Sequence, residues 1–294
     1  MRKRVCKHPS LGAQMGVEMS KLLSAGFARM WKNTMFWLEV IIMGLLFAAI
    51  MIANYQSTRD YGIAYSLDTL LSGPFMVIGF FTASFASMFL GTEYSDGTIR
   101  NKLSTGHSRS SVYLSGLILC FTATLLFCLS AIAIICIMGI PLFGFLVKPL
   151  ADTLTVIAIG IFTAAAYSAI FTLVSMSVTN KPVTVMVCIL LCIAFYFSSV
   201  RIEEKLGEPE INPGYAWLEN GVPVSSRPTP NPNYISGTKR ECYEFIYDFL
   251  PSGQSIQLGK NAPNLSVLFP LYSLFITVSS TAGGILIFRK RDLK

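Results

Sequence analysis

An all-α polytopic membrane fold is predicted by three features of this sequence. It is apolar and poor in charge, it contains six long runs almost free of charged residues, and its lysines and arginines are unevenly placed. Of 294 residues, 53% are hydrophobic and 13% charged, about half the charged share of an ordinary soluble domain. The six runs are 36–53, 75–90, 112–140, 154–178, 183–200 and 265–288. Roughly 20 helical residues cross the hydrocarbon, so each can span, the second and fifth only just. Lipid offers the backbone no hydrogen-bond partner, which favours helices. Fifteen of the 23 Lys and Arg lie in the N-terminal segment, the second-to-third connection, Lys181 and the C-terminal tail. Arg59 and Lys148 are the single basic residues of the two short connections on the other side. That asymmetry predicts both termini in the cytoplasm, and it explains the net charge of +7 without a nucleic-acid partner.

In chain order, residues 1–34 read as a cytoplasmic tail and interfacial helix. Met1–Arg–Lys–Arg is followed by no apolar stretch for some thirty residues, so it is not read as a signal peptide. Met15, Met19, Leu22, Leu23, Phe27, Met30 and Trp31 recur at three- and four-residue steps, with Glu18, Lys21, Arg29 and Lys32 assigned to the other side. Spans one to five occupy 35–200. The first carries Glu39, about one turn from its start, where an interfacial or inter-helix contact is expected in preference to ion coupling. The second is expected to begin at Gly73–Pro74, and its small residues suit close helix packing. The third is expected to stop at Pro141, and Asn180–Lys181–Pro182 makes a tight turn.

Residues 201–264 form an extracellular segment, 265–288 the sixth span and 289–294 a cytoplasmic tail. The stretch 207–232 is rich in Pro, Asn and Gly and reads as irregular loop. Residues 241–250 form a short apolar helix dipping into the outer leaflet or capping the bundle, broken at Pro251–Ser–Gly253.

No catalytic constellation emerges. The two histidines, His8 and His107, are far apart, and HExxH, GxSxG and GxxxxGK[ST] are all missing. The chain is thus read as no enzyme and as holding no cofactor or metal of its own. Five of the seven cysteines fall within spans, so no disulfide framework is expected. Cys188 and Cys192 have the spacing of metal ligands, but also that of two small residues packing a helix face, the reading adopted here.

The connection 91–109 is the most informative stretch. Asp96–Gly97 is a turn pair, and Thr98 can cap a short helix running to about Leu103. Gly106 suits its end, and Ser108 can cap the third span. The helix would carry Arg100 and Lys102 on one side, with Ile99 and Leu103 as anchors.

This stretch resembles the first cytoplasmic loop of type-2 ATP-binding-cassette permeases. Glu93, Gly97–Thr98, a basic residue at Arg100, Leu103 and Ser108–Arg109 stand at the family's spacing. The resemblance implies a coupling helix that receives motion from an ATP-binding subunit, with Glu93, Asp96, Gly97, Thr98, Ile99, Arg100, Asn101, Leu103 and Arg109 as its positions. ATP and Mg would be bound by that partner. It further implies a bacterial plasma-membrane exporter with a second permease copy, identical or different. The pathway would lie at the dimer interface, with Phe80, Ser84, Ser87, Phe195 and Ser199 as candidates. Few charges along such a path suit an amphipathic or lipid-like cargo such as a peptide, antibiotic or lipid. An ion-coupled secondary transporter and a non-transporting scaffold or immunity protein are the alternatives. The outer segment is longer and richer in proline than in the family's simplest members.

Overall fold

The computed structural model describes residues 11–214, 216–219, 222–225, 227–260 and 268–290. In chain order the elements are α1 (Leu11–Trp31), α2 (Thr34–Tyr61), α3 (Leu67–Ser95), α4 (Thr98–Ser104), α5 (Arg109–Phe143), α6 (Leu150–Ser177) and α7 (Lys181–Leu206). Next come β1 (Ile211–Asn212), β2 (Ala216–Glu219), β3 (Val222–Ser225), β4 (Thr229–Pro230), α8 (Gly237–Phe249), α9 (Pro251–Gly259) and α10 (Phe269–Lys290). Among the described residues six helices, α2, α3, α5, α6, α7 and α10, are long and apolar enough to cross a membrane. The outer parts of both terminal segments, 1–10 and 291–294, and residues 261–267 at the approach to the sixth span lie outside the described residues.

Helix α3 is the spine. It packs against α5, α6, α7 and α9, and its membrane window is the most deeply buried of the six. In lipid no hydrophobic drive pulls helices together, so fit decides which faces meet. The α3–α6 seam shows it: Phe75 of α3 lies over Gly160 of α6, and Tyr167 of α6 lies over Gly79 of α3. A side chain at either glycine would occupy its neighbour's ring. Cys188 and Cys192 of α7 are buried, and the Cys188 thiol meets the Ser175 hydroxyl of α6.

Two proline expectations need correction. Helix α3 begins at Leu67 and runs through Pro74. Helix α5 runs through Pro141 and ends at Phe143, closed by Gly144 in a positive-φ conformation. Pro141 stands in the last turn, where only a short piece of helix follows the missing N–H. The earlier start of α3 brings in an acid the sequence reading placed outside the spans. Asp68 is buried and accepts hydrogen bonds from the Val147 and Lys148 N–H groups and from Thr153 Oγ1, pinning the α5–α6 connection.

The stretch read as irregular, 207–232, instead contains two short antiparallel ladders, β1 with β4 and β2 with β3. The expected break before Pro251 is present, since α8 ends at Phe249 and Leu250 is extended, but no loop follows it. Proline opens a new helix, α9, as it does at a first helical position. Nearly all of α9 is buried against α3, α6, α7 and α8. Hydrogen bonds hold it there. Gln254 Oε1 accepts from Thr163 of α6 at 3.0 Å and Ser273 of α10 at 2.6 Å, while its Nε2 donates to the Asp248 carbonyl at 2.8 Å. Gly253 fits because its Cα faces the Tyr247 carbonyl, and any Cβ there would overlap that oxygen. Gly253→Ala is therefore expected to cost about 1–3 kcal/mol. A lower thermal unfolding midpoint in lipid nanodiscs, with new maleimide labelling of a cysteine placed at Ser255, would report the displaced helix.

Candidate coupling interface

The short helix α4 hangs from the end of α3 through a two-residue turn, Asp96–Gly97. Gly97 is its N-cap at φ 68°, a left-handed conformation that favours glycine. Thr98, expected as the cap, is instead the first helical residue, and its hydroxyl donates to the Glu93 carbonyl at 3.0 Å. Gly106 follows the helix at φ 95°, and Ser108 caps α5 by accepting from the Ser111 N–H at 3.1 Å.

Glu93 is the centre of this end of the molecule. It is 1% exposed, and its Oε1 meets Arg29 of α1 at 2.5 Å and Lys102 of α4 at 2.6 Å. The Arg29 guanidinium also lies over the Phe89 ring, 4.0 Å from its centroid. Arg29 was assigned to the outward side of α1; here it points inward. It follows Leu22 by seven residues, which at 3.6 residues per turn returns it almost to the face that carries buried Leu22. Lys102 likewise turns in, so it does not share Arg100's exposed side.

Other residues fasten neighbouring helix ends to the same platform. Tyr94 donates to the Met176 carbonyl at 2.6 Å, at the end of α6. Arg109 donates from Nη1 to the Phe288 carbonyl at 3.1 Å and the Arg289 carbonyl at 3.2 Å, at the end of α10. Both fill carbonyls that a helix terminus leaves without an intrahelical partner. Gly26 of α1 presses on Leu119 of α5. Tyr94 and Arg29 were not singled out from sequence as site residues. Arg29 could have been found by asking what neutralises Glu93.

The loop residues thus separate into two sets. Glu93, Ile99, Lys102 and Arg109 bind the platform together, with Ile99 1% exposed and packed in this chain's own core. Leu103 is half-buried beside that core. Asp96, Arg100 and Asn101 are exposed, and Arg100 has no ion-pair partner among the described residues.

Of the pathway candidates, Phe80 packs edge-on to Tyr196 across the α3–α7 seam, with ring centroids 5.8 Å apart. Ser84 and Phe195 are half-buried. Ser87 is buried and donates to the Ser84 carbonyl, while Ser199 is buried in a 2.6 Å hydrogen bond with Ser252 of α9. Glu39 stands in the second turn of α2, 6% exposed, facing the bundle.

Six apolar helices, with a short surface helix strapped to one end by buried charge, define a multi-pass membrane protein. The family model described as an ABC-2 family transporter protein matches residues 22–199, from within α1 to near the end of α7. The chain belongs to that family, and with it to the permease subunits of ATP-binding-cassette transporters, membrane components that associate with an ATP-binding subunit. A search of the curated proteins found no match.

Glu93→Gln leaves Arg29 and Lys102 facing each other without their counter-charge. Both cations are partly exposed, so solvent screens what remains and the cost is about 1–3 kcal/mol. The expected outcome is a matching fall in unfolding free energy in nanodiscs. In Arg29→Met the same substitution should cost measurably less.

Proposed function

We propose that this chain is the membrane-spanning subunit of an ATP-driven exporter, working as a dimer with one ATP-binding subunit under each copy. The observation that carries the reading is the division of labour at α4. Its buried side, through Ile99, Lys102 and Glu93, is tied to α1 and α3, while Arg100 and Asn101 are left outward with Asp96 beside them. A solvated connection needs no such fastening. A helix that must pass a push into α3 without coming loose does.

On this reading the α4 end faces the cytoplasm, with both termini on that side of a bacterial plasma membrane. ATP and Mg are bound and turned over by the partner. Helix α3 carries displacement along its length towards α9, where Met76 lies against Gly259. Cargo passes between two copies along the α3–α7 side, where Phe80 and Phe195 are half-buried, with Ser84 a turn from Phe80 on α3. An amphipathic or lipid-like molecule suits such walls.

Purification in mild detergent from native cells should bring down a stoichiometric ATP-binding subunit. Arg100→Glu should abolish substrate-stimulated ATP hydrolysis, an effect of at least about tenfold for a charge reversal at a contact, while membrane insertion persists. A chain that purifies alone, or an Arg100→Glu complex with wild-type stimulation, would overturn the reading.

A further inference from the structure

Among the described residues, Glu39 is the one buried acid of the membrane helices that no donor meets in a hydrogen bond of ordinary geometry. Asp68 and Glu93, the other two in α3, are each held by several donors. Glu39 is 6% exposed, and neither of its carboxyl oxygens has a hydrogen-bond partner. The Ser84 hydroxyl of α3 lies close enough to interact with it, but without a hydrogen bond of ordinary geometry. A polar group kept in a membrane bundle without partners is costly in either protonation state, and intramembrane acids characteristically serve a ligand or an ion.

The surroundings show how a ligand would arrive. Helix α2 leans mainly on α5 and meets α3 only sparsely. At the α4 end, a cleft of about 30 Å³ opens between α2 and α3, lined by Asn33, Met35, Phe85, Met88, Phe89, Thr92 and Lys181. Glu39 follows Met35 by four residues, and Ser84 precedes Met88 by four. Both polar groups therefore continue the cleft walls one helical turn, about 6 Å, deeper. The cleft holds one or two water-sized groups. Glu39 and Ser84 lie beyond its lining, and both offer acceptor oxygens, to which a primary ammonium can donate and a quaternary one cannot. Lys181 stands at the mouth, so a cation bound by Glu39 lies a turn away from it, with the Phe85 and Phe89 rings along the way.

We propose that Glu39, with Ser84, is a recognition site for the primary ammonium group of an amphipathic cargo, reached through the α2–α3 cleft. The ammonium donates to the Glu39 carboxylate and to Ser84 Oγ, and the sparsely packed α2–α3 seam parts to admit the cargo's apolar part. This rests on the transport reading and deepens it, since it names the chemical class of the cargo.

The test is binding to the full chain, with whatever subunits purify with it, in phosphatidylcholine nanodiscs without ATP. The probes are a fluorescent primary alkylammonium and its uncharged N-acetylated counterpart. Wild type should bind the ammonium at least about tenfold more tightly, as one charge-assisted hydrogen bond supplies. Glu39→Gln should bind the two probes alike. Ser84→Ala should lose part of the preference, and Glu39→Asp, which keeps the charge, should retain it. If Glu39→Gln does not yield a folded, monodisperse protein, the last two variants carry the test. Equal binding of both probes to wild type, an unchanged preference in Glu39→Gln, or displacement of the ammonium by Na⁺ or K⁺ alone would overturn the proposal. Loss of the preference in Glu39→Gln with no ATP-binding subunit present would sustain the site while overturning the ATP-driven reading. A stimulated ATPase complex whose Glu39→Gln form keeps the preference would do the reverse.

Discussion

A carboxylate at the end of the central helix decides how this end of the protein is built. Glu93 is buried and must be answered by positive charge, because an isolated ion of that kind in a low-dielectric setting is prohibitively unfavourable. Two cations from different elements supply the answer, Arg29 from α1 and Lys102 from α4. Neither α1 nor α4 has a membrane span's worth of apolar surface to fix its position. Each adds a few buried apolar residues, Leu22 and Met30 in α1 and Ile99 in α4, to the place its cation must take. The ion pairs need not add net stability over an apolar alternative. What they supply is a unique register, since a shift of one residue in α1 or α4 would turn its cation away.

The opposite end of α3 is held by different means. There α9 is wedged among α3, α6, α7 and α8 through neutral hydrogen bonds, with Gln254 shared among Thr163, Ser273 and the Asp248 carbonyl, and Ser252 joined to Ser199. Each such bond is modest in net terms, but leaving any of these buried groups unpaired would be expensive. A displacement of α3 therefore has two consequences. It drags α1 and α4 along as a charged unit at one end, and it strains a hydrogen-bonded polar cluster at the other. Two arrangements that each satisfy those groups would be separated by states that do not, which is the physical basis for switching between discrete states.

The six spans could be read from the sequence because a run without charge has few folded alternatives to a membrane helix. The coupling-like loop could be read because glycine and small polar residues mark its turns: Gly97 and Gly106 take positive φ, and Ser108 caps α5. What escaped depended on partners distant in sequence. Pro74 and Pro141 read locally as boundaries, yet helices continue through both. Ser199 read as a pathway residue, and its hydroxyl is occupied by Ser252, 53 residues away. Arg29 read as outward because it is charged, although its angular position on α1 already placed it with Leu22. Helix α9 was hidden by its own composition, since Pro251, Ser252 and Gly253 signal a break unless a buried site exists to receive them.

Of the two contacts expected of Glu39, interfacial or inter-helix, the structure has the second, beside Ser84 of α3. One turn into a span, an acid would ordinarily be expected to reach back to the headgroups. Glu39 does not, because its position on α2 falls in the series Phe36, Glu39, Met43, Phe47 and Met51, the buried face of that helix. Rotating the helix to free the acid would turn those apolar residues away from the neighbours they fit, so the fold keeps their packing and buries the carboxyl. Yet a glutamine or leucine at that position would fit the same face without a buried ionisable group. Asp68 and Glu93 show that this fold supplies donors to buried acids whose role is structural. Leaving Glu39 without any makes it the place in the bundle most ready to take a donor from outside the chain.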